Sequence, residues 1–281
     1  MKLVRSLLVL TCVIALASCQ KEISFDNANP DGSNGGNTGG NNNNPGCNDI
    51  AMKLKRYQFL VEPDNYIELS WNSDGTLQRI TYKDVVSLHR TATYVYENGR
   101  ISEAAFRTHD DQVYDTAVYH YNADNKVDSI YLKNDDRYNI ALSYQEGKLR
   151  RFTYYSGTTI TSYFDITTDA KDNIVAYTEY WAEPSGFAKQ SSSSLVRDDR
   201  KNPFTGLAPY MFHFDDDYII FRYWGPNNHT DVIWHDYGGS GMDMIVGQKY
   251  KYNENCYPVS NQTTLMGQVL FTDDDYSYTY Y

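Results

Sequence analysis

Aromatic, turn-forming and aliphatic residues follow one another in the same order several times along the chain. An aromatic residue precedes a short run of Asn, Asp or Gly, which an aliphatic residue follows, at a period of about twenty-four residues. The copies lie at residues 71–77, 96–101, 121–127 and 144–149, with a weaker one at 168–174 and a last one at 252–258. Such repetition indicates a single structural unit that is used several times.

Each copy predicts a strand, a tight turn and a second strand. Asn, Asp and Gly supply the positive φ that hairpin turns require, and aromatic and β-branched residues favour the strands on either side. The i, i+3 spacing of the apolar residues would also suit a helix. The turn residues and the alternation over residues 116–121 nevertheless favour strands.

The apolar residues after each turn predict an irregularity in the strand pairing. In the second copy they are Ile101, Ala104 and Phe106. Strict alternation would place the first of them on the opposite face of the sheet from the other two. A β-bulge after the turn would return all three to one face, so we predict a bulge there.

We predict an all-β fold over residues 47–281, in which repeated hairpins form a large antiparallel meander of about twelve strands. The sheet is expected to be bent or partly closed, because a flat sheet would leave its apolar face in water. The interval at about 195–247 breaks the period and includes the glycine-rich residues 238–241. We predict that this interval is an insertion that caps the sheet and carries variable function.

Tyrosine occupies 27 of the 281 positions and often recurs at every second one, as in the pair Tyr94 and Tyr96. Period two places each pair on one face of a strand. The rings either pack the sheet as cross-strand ladders or form a platform that stacks on sugar rings or holds a protein partner. Packing is favoured because the tyrosines are spread through every copy.

The first residues carry the signals of an exported chain. A positively charged start precedes an apolar run over residues 7–17, which has the length of a signal-peptide core and is too short to span a bilayer. Residues 16–19 (Leu-Ala-Ser-Cys) resemble the lipobox at which bacterial lipoprotein signal peptides are cut before an acylated cysteine. We expect residues 1–18 to be the signal peptide and Cys19 to be the N-terminus that carries palmitate. An uncleaved anchor and a secretory signal cut elsewhere are the alternatives.

The residues after Cys19 bear on the destination of the protein. Gln20 resembles the residue that lets Gram-negative lipoproteins travel to the outer membrane, and residues 20–22 (Gln-Lys-Glu) resemble part of the surface-export signal of Bacteroidetes lipoproteins. We expect a protein anchored in the outer membrane by lipid, facing the periplasm or the cell surface. Residues 27–46 are almost wholly Asn, Gly, Pro, Ser, Thr and Asp, so we interpret residues 19–46 as a disordered tether.

The net charge excludes some partners. It is −11 for the full chain, and it becomes −13 when Lys2 and Arg5 leave with the signal peptide. Nucleic acid is not expected as a partner, because proteins bind it through clustered Lys and Arg. Attachment to anionic lipid through a basic face is disfavoured for the same reason.

Two cysteines remain for the folded domain. Cys12 leaves with the signal peptide and Cys19 is lipidated, so Cys47 and Cys256 are the remaining thiols in an oxidising compartment. We predict that these two form a disulfide, with two separate thiols as the alternative. They are too few for a metal site.

The hairpins resemble the YD repeats of RHS proteins, whose unit is close to Tyr-Asp-x-x-Gly-Arg-Leu. They resemble still more closely an uncharacterised domain of Bacteroidetes lipoproteins, which joins such hairpins to an Asn-Pro-Phe segment and a closing Tyr-x-Tyr-Asn-x-x-Gly-Tyr-Pro hairpin. Residues 202–204 and 250–258 match these two segments, with Cys256 at the position of the turn glycine. The resemblance covers about residues 50–281 and implies the hairpin fold, but no established activity.

No catalytic motif is evident in the sequence. His235, Asp236 and Ser240 are residue types of a hydrolase. The glycine-rich stretch around them does not form a nucleophile elbow, because Met242 stands where the last glycine of that motif should be. We therefore expect that the protein is not an enzyme.

Metal and cofactor motifs are also lacking in the sequence. The six histidines show no zinc-ligand spacing. The acidic runs at residues 215–217 and 273–275 do not follow the calcium-loop pattern and are interpreted as solvated turns. No glycine loop for phosphate or a dinucleotide is present, so we expect no cofactor.

Three functions remain open from the sequence. The leading expectation is a non-enzymatic envelope lipoprotein that binds a glycan or a protein partner. A purely structural envelope component is the second, and a hydrolase that uses the residues at 235, 236 and 240 is the least favoured.

Overall fold

The computed structural model describes residues 47–48, 50–83, 89–134, 139–211, 221, 223–238, 241, 243–270 and 274–281. The expected signal peptide, lipidated Cys19 and tether lie outside the described residues. Residues 45–281 form one compact unit.

The described chain forms strands almost throughout, with one short 3₁₀ helix at Ala208–Tyr210. In chain order the strands are β1 (Leu54–Phe59), β2 (Tyr66–Trp71), β3 (Leu77–Lys83), β4 (His89–Glu97), β5 (Arg100–Arg107), β6 (Val113–Tyr121), β7 (Val127–Leu132), β8 (Asn139–Gln145), β9 (Lys148–Ser156), β10 (Thr159–Thr168), β11 (Ile174–Glu183), β12 (Gly186–Lys201), β13 (Asn227–Asp236), β14 (Asp243–Tyr252), β15 (Pro258–Leu265), β16 (Gln268–Val269) and β17 (Tyr276–Tyr280).

Each strand from β1 to β15 pairs antiparallel with the next one along the chain, which confirms the predicted all-β meander. The last strand, β17, pairs with β15 on one side and with β1 on the other. The sheet therefore closes into a barrel of sixteen strands, with the two-residue β16 attached to β15 alone. The expected bent or partly closed sheet of about twelve strands is corrected to a closed one, in which no edge is left unpaired.

The predicted bulges are present after the repeat turns. Tyr96 pairs with Ile101, and the preceding residue Val95 pairs with Glu103, so Ser102 is the extra residue. Equivalent register shifts follow the turns at residues 72–76, 122–126, 146–147 and 253–257. In the second copy the bulge places Ile101, Ala104 and Phe106 together in the core.

In the second, third and fourth copies the repeated tyrosine joins its copy to the one before it. Its hydroxyl donates a hydrogen bond to the backbone carbonyl of the residue that follows the preceding turn. The hydroxyl of Tyr121 donates to the Ile101 carbonyl over 2.7 Å, and that of Tyr144 donates to the Val127 carbonyl over 2.8 Å. The ring thus fills the interior while its hydroxyl satisfies a backbone acceptor.

A positively charged residue near the turn of one copy contacts the tyrosine of the following copy. Arg100 lies over the ring of Tyr121, with 4.7 Å from the guanidinium carbon to the ring centroid, and donates to Asn125. Lys126 lies over the ring of Tyr144 at 5.4 Å and donates to the Gly147 carbonyl. The second and third copies therefore hold the next one through a cation–π contact and a hydrogen bond.

The chain leaves the sheet between β12 and β13, and the described residues of this connection, 202–211, 221 and 223–226, include a buried apolar group. Its members are Phe204, Leu207, Ala208, Met211 and Phe221, which belong to the core of the barrel. The ring of Phe221 contacts those of Phe164 and Tyr177 at centroid distances of 4.9 and 4.7 Å. The interval 195–247, where a cap was predicted, thus supplies parts of β12 and β14 and all of β13 to the sheet, and the buried residues of its connection pack inside. Barrels of this strand number often leave an open lumen, whereas the described interior here is packed.

Arg197 on β12 fastens this connection to the barrel wall. Its guanidinium donates to the Ile174 carbonyl over 2.7 Å, to the Phe221 carbonyl over 2.8 Å and to the Asn227 carbonyl over 3.3 Å. Burial lowers the pKa of Arg197 to about 10, because a charged group is disfavoured where water is excluded. Asn202, the first residue of the Asn-Pro-Phe segment, donates to the carbonyls of Tyr223 and Gly225 over 2.8 Å each.

Candidate functional site

The loops of the barrel define two ends. The repeat-turn end carries the turns of the repeated hairpins, such as residues 72–76 and 122–126, and the far end carries the alternate loops, such as residues 60–65 and 108–112. A cavity of about 230 Å³ lies toward the far end. We call it the tyrosine cavity, because its lining includes Tyr57, Tyr66, Tyr82, Tyr223, Tyr250, Tyr276 and Tyr278.

Stacked rings form the wall of the tyrosine cavity. Tyr57 on β1 lies parallel to Tyr276 on β17, with 4.8 Å between centroids and 9° between the planes. The ring of Tyr278 is tilted against that of Tyr57, with 4.9 Å between centroids. The ring of Tyr223 meets that of Tyr57 edge-on, with 6.5 Å between centroids. The wall exists because β17 closes the barrel beside β1 and because period two directs these residues to the same face.

Carboxamides supply the polar part of the lining. Asn65, Gln248 and Asn261 line the cavity together with the buried His229. The hydroxyl of Tyr278 donates to Asn261 Oδ1 over 2.9 Å, and the Asn261 amide donates to Gln248 Oε1. The cavity therefore combines aromatic faces with neutral hydrogen-bonding groups, which is the usual make-up of a small-molecule site.

Burial raises the pKa of Tyr57 and of Tyr278 well above the ordinary value, and repulsion from neighbouring phenols adds to the shift. Both groups therefore stay neutral in the folded protein well into the alkaline range. At neutral pH the wall of the cavity is uncharged and can donate hydrogen bonds.

These pKa shifts predict alkaline unfolding. An unfolded tyrosine ionises near pH 10, whereas the folded Tyr57 and Tyr278 remain protonated above it. Their contribution to stability is present in full below about pH 10 and is lost as the pH rises further. We expect the ultraviolet absorbance of the buried phenols to change only together with the circular dichroism.

Tyr237 is the internal control for this titration. It is 47% exposed, and its pKa is lowered by hydrogen bonds with Lys189 and Ser192. It should ionise first and without loss of secondary structure. Reversible titration of all phenols at constant circular dichroism would contradict the prediction.

A second cavity of about 210 Å³ lies toward the repeat-turn end. Tyr121, Tyr144, Tyr210 and Trp224 line it, together with Lys126. The hydroxyls of Tyr121 and Tyr144 donate to backbone carbonyls, and those of Tyr121 and Tyr210 lie 3.3 Å apart. Because these polar groups serve the contacts between repeats, the tyrosine cavity is the better candidate for a binding site.

The two cysteines that were predicted to pair are joined in the structure. A disulfide links Cys47 to Cys256 across a separation of 209 residues. Cys256 lies in the turn between β14 and β15 and has a φ of +62°, where the resemblance leads one to expect glycine. The guanidinium of Arg200 donates to the Cys256 sulfur over 2.9 Å.

The proposed hydrolase residues do not assemble in the described part of the chain. His235 Nδ1 contacts Asp243 Oδ1 on the neighbouring strand, while Asp236 Oδ1 accepts a hydrogen bond from the Gly238 amide over 2.9 Å. Adjacent residues of a strand point to opposite faces, so His235 and Asp236 are not oriented as a pair. Ser240 lies outside the described residues.

The acidic run at residues 273–275 is only partly described. Asp274 accepts hydrogen bonds from Lys251 over 2.7 Å and from Ser260 over 2.6 Å, and the bond from Lys251 lowers its pKa. The buried Asp275 accepts from the Thr263 amide. Residues 215–217 lie outside the described part, and among the described residues no group of three or more His, Cys, Asp or Glu could hold a metal ion.

Sequence reasoning missed the carboxamides of the cavity. Asn65, Gln248 and Asn261 come from a loop and two strands that lie almost 200 residues apart in sequence. Each one alone is an ordinary polar residue, and only closure of the barrel brings them together. The tyrosine periodicity was the available signal, and it indicated which face the rings occupy.

Comparisons with known proteins give a likeness of fold. The chain is similar to a porin-like protein from Bacteroides uniformis, with a TM-score of 0.52 and 12% identity over 82% of this chain and 98% of that one. A porin-like protein from Bacteroides vulgatus matches with a TM-score of 0.43 and 13% identity, over 82% and 99% of the two chains. The Photorhabdus luminescens Tc holotoxin pore matches with a TM-score of 0.29 and 14% identity, over 72% of this chain and 12% of that one.

No family model and no curated protein matches the chain. The resemblance to YD repeats and to the Bacteroidetes lipoprotein domain therefore stays a resemblance. In the part of the chain that the structure describes, no helix has the length and apolar character needed to cross a membrane.

Proposed function

We propose that this protein is a non-enzymatic lipoprotein of the cell envelope, which is held in the outer membrane by lipid on Cys19 and binds a glycan in the tyrosine cavity. The observation that carries the proposal is the cavity itself, in which aromatic faces alternate with the carboxamides of Asn65, Gln248 and Asn261. The lipobox-like residues 16–19 supply the anchor.

Sugar chemistry matches this lining. A pyranose ring has apolar C–H faces and a rim of hydroxyl groups that both donate and accept hydrogen bonds. Tyrosine faces such as those of Tyr66 and Tyr82 cover the apolar part, while amide and phenol groups pair with the hydroxyls. A buried hydroxyl without a partner would weaken binding, so the carboxamides matter as much as the rings.

The charged outer face of the barrel favours the proposal that the domain lies in water and not in lipid. Ion pairs lie on this face, such as Lys133 with Glu103 at 2.7 Å and Arg151 with Asp165 at 2.6 Å. Charged side chains on a lipid-facing barrel surface are destabilising. The Bacteroides uniformis protein of similar fold is named porin-like, which fits an envelope location for this chain. The packed interior of the barrel favours the binding of a ligand over the passage of solutes.

The proposal predicts glycan binding that depends on Gln248. We expect the full chain, purified in detergent, to bind a subset of an array of bacterial, plant and host glycans. Gln248→Ala should weaken the binding of each hit by about 10-fold, because one buried hydrogen bond is worth about 1.4 kcal/mol. Isothermal titration calorimetry measures the change.

A matched variant controls for the loss of an amide. Gln268 lies on the exposed β16, away from the cavity, so Gln268→Ala should leave affinity unchanged. If no glycan binds, or if both variants weaken binding equally, the proposed function is wrong. Capture of an envelope protein in place of a glycan would favour the protein-partner alternative.

A further inference from the structure

We infer that the tyrosine cavity takes the terminal, uncharged sugar residue of a glycan, and that it rejects acidic sugars. The inference rests on the proposed function and narrows the class of ligand. Three properties of the cavity support the inference. They are the absence of charge in its described lining, the protein carboxylates near the neighbouring cations and the closure of its inner side.

The described lining contains no carboxylate, ammonium or guanidinium group. Its polar members are phenols, carboxamides and His229. A uronic acid that entered would lose water from its carboxylate without gaining a cation, and this costs several kcal/mol, which corresponds to at least about 100-fold in affinity. A neutral sugar loses only hydroxyl hydration, which the amides and phenols replace.

Two of the cations beside the cavity already lie near protein carboxylates. Arg56 and Lys83 both lie over the ring of Tyr66, which belongs to the lining. Lys83 pairs with Asp64 at 2.7 Å, and Arg56 lies 3.6 Å from Glu68. Arg90 is the cross-strand neighbour of Tyr82 but is not part of the lining. An acidic ligand would therefore have to compete with protein carboxylates for these charges.

The inner side of the cavity is closed by packed rings. Phe204, from the connection between β12 and β13, contacts Tyr223 at 4.0 Å and meets Tyr57 edge-on at 5.7 Å between ring centroids. A ligand in the cavity would stop at this wall. A cavity of about 230 Å³ that is closed on its inner side accepts the end of a chain and not its middle.

One hydrogen-bond donor in the cavity is left for a ligand. Gln248 Oε1 accepts from the amide of Asn261 and from the Thr263 hydroxyl. The residue lines the cavity, and its Nε2 group donates to no atom of the described residues. An amide N–H pairs equally well with a hydroxyl oxygen of any neutral hexose.

Methyl glycosides test the inference directly. Isothermal titration calorimetry with the full chain should detect at least one of the methyl glycosides of glucose, galactose, mannose, xylose and N-acetylglucosamine. The methyl glycosides of glucuronic and galacturonic acid should bind at least about 100-fold more weakly than their neutral counterparts. Extending the best binder from a disaccharide to a tetrasaccharide at its reducing end should change the affinity by less than about threefold.

The outcomes separate this inference from the proposed function. Uronides that bind as tightly as neutral glycosides, or long chains that bind while methyl glycosides do not, would overturn the inference and leave glycan binding standing. Absence of binding by any saccharide would overturn both.

Adding a charge to the cavity should reverse the preference. Gln248→Lys places an ammonium beside the ligand, so methyl glucuronide should gain at least about 10-fold in affinity while the neutral glycoside loses a similar factor. Gln268→Lys on β16 adds the same charge outside the cavity and should change neither affinity. An unchanged preference in the cavity variant, with circular dichroism like that of the parent chain, would contradict the inference.

Discussion

Arg197→Ala is expected to lower the free energy of unfolding by about 3–4 kcal/mol, because it leaves buried carbonyl groups without a donor. The variant removes hydrogen bonds to the carbonyls of Ile174, Phe221 and Asn227. Those acceptors lie where water cannot replace the guanidinium. The connection between β12 and β13 would then lose its attachment to the wall. Urea denaturation followed by circular dichroism measures the change.

Arg79→Ala is the matched control. Arg79 lies on the exposed face of β3, so its loss should change the stability by less than about 0.5 kcal/mol. Arg197→Lys keeps the charge but loses the planar guanidinium, so its loss of stability should lie between those of Arg197→Ala and Arg79→Ala. If Arg197→Ala and Arg79→Ala unfold at the same urea concentration, the guanidinium does not hold the connection.

Cys47→Ser should lower the free energy of unfolding by as much as about 5 kcal/mol, since the bridge closes a loop of 209 residues and cross-linking removes chain entropy from the unfolded state. Native disulfides of secreted domains commonly contribute about 2–5 kcal/mol. The loss should appear as a lower urea midpoint, and treatment of the parent protein with a reductant should reproduce it.

A second substitution distinguishes the stabilisation by the disulfide from the backbone strain in the turn at Cys256. Cys256 holds a positive φ of 62°, a conformation that costs a residue other than glycine about 1 kcal/mol. In the Cys47→Ser background, Cys256→Gly should therefore restore about 1 kcal/mol. If the parent protein under reductant is as stable as without it, the disulfide contributes nothing and the prediction fails.

The hairpins could be predicted from the sequence because their signal is local. Asn98 and Gly99 both have positive φ in the structure, as the turn residues required. The apolar residues Ile101, Ala104 and Phe106 after this turn were enough to place the bulge. Closure could not be predicted, since β1 and β17 stand at opposite ends of the domain and no local pattern records their pairing.

The strand that leads into the interval at residue 195 could not be recognised from the sequence, for a physical reason. β12 enters the barrel with serines on its inner face, and Ser191 and Ser193 are only 2% and 3% exposed. Ser191 donates to the buried carboxylate of Glu179 over 2.8 Å, so polar contacts replace the hydrophobic ones that mark a strand. A strand of this kind has no alternation that sequence inspection can detect.

The candidate site was predictable in part. Alternating tyrosines indicated an aromatic interior, and the buried Tyr278 on β17 agrees with that reading. The choice between packing and a ligand platform needed the three-dimensional arrangement, because the same rings do both. Tyr57 stacks on its neighbours and also lines the cavity.

The position of the disulfide has a mechanical consequence. The chain enters the barrel at Cys47, and the sulfur bridge connects that point to the turn between β14 and β15. A pull on the N-terminal side would pass through the bridge into this hairpin and would load its strands lengthwise, against all their ladder hydrogen bonds at once. β1 would therefore be spared from losing its hydrogen bonds one at a time.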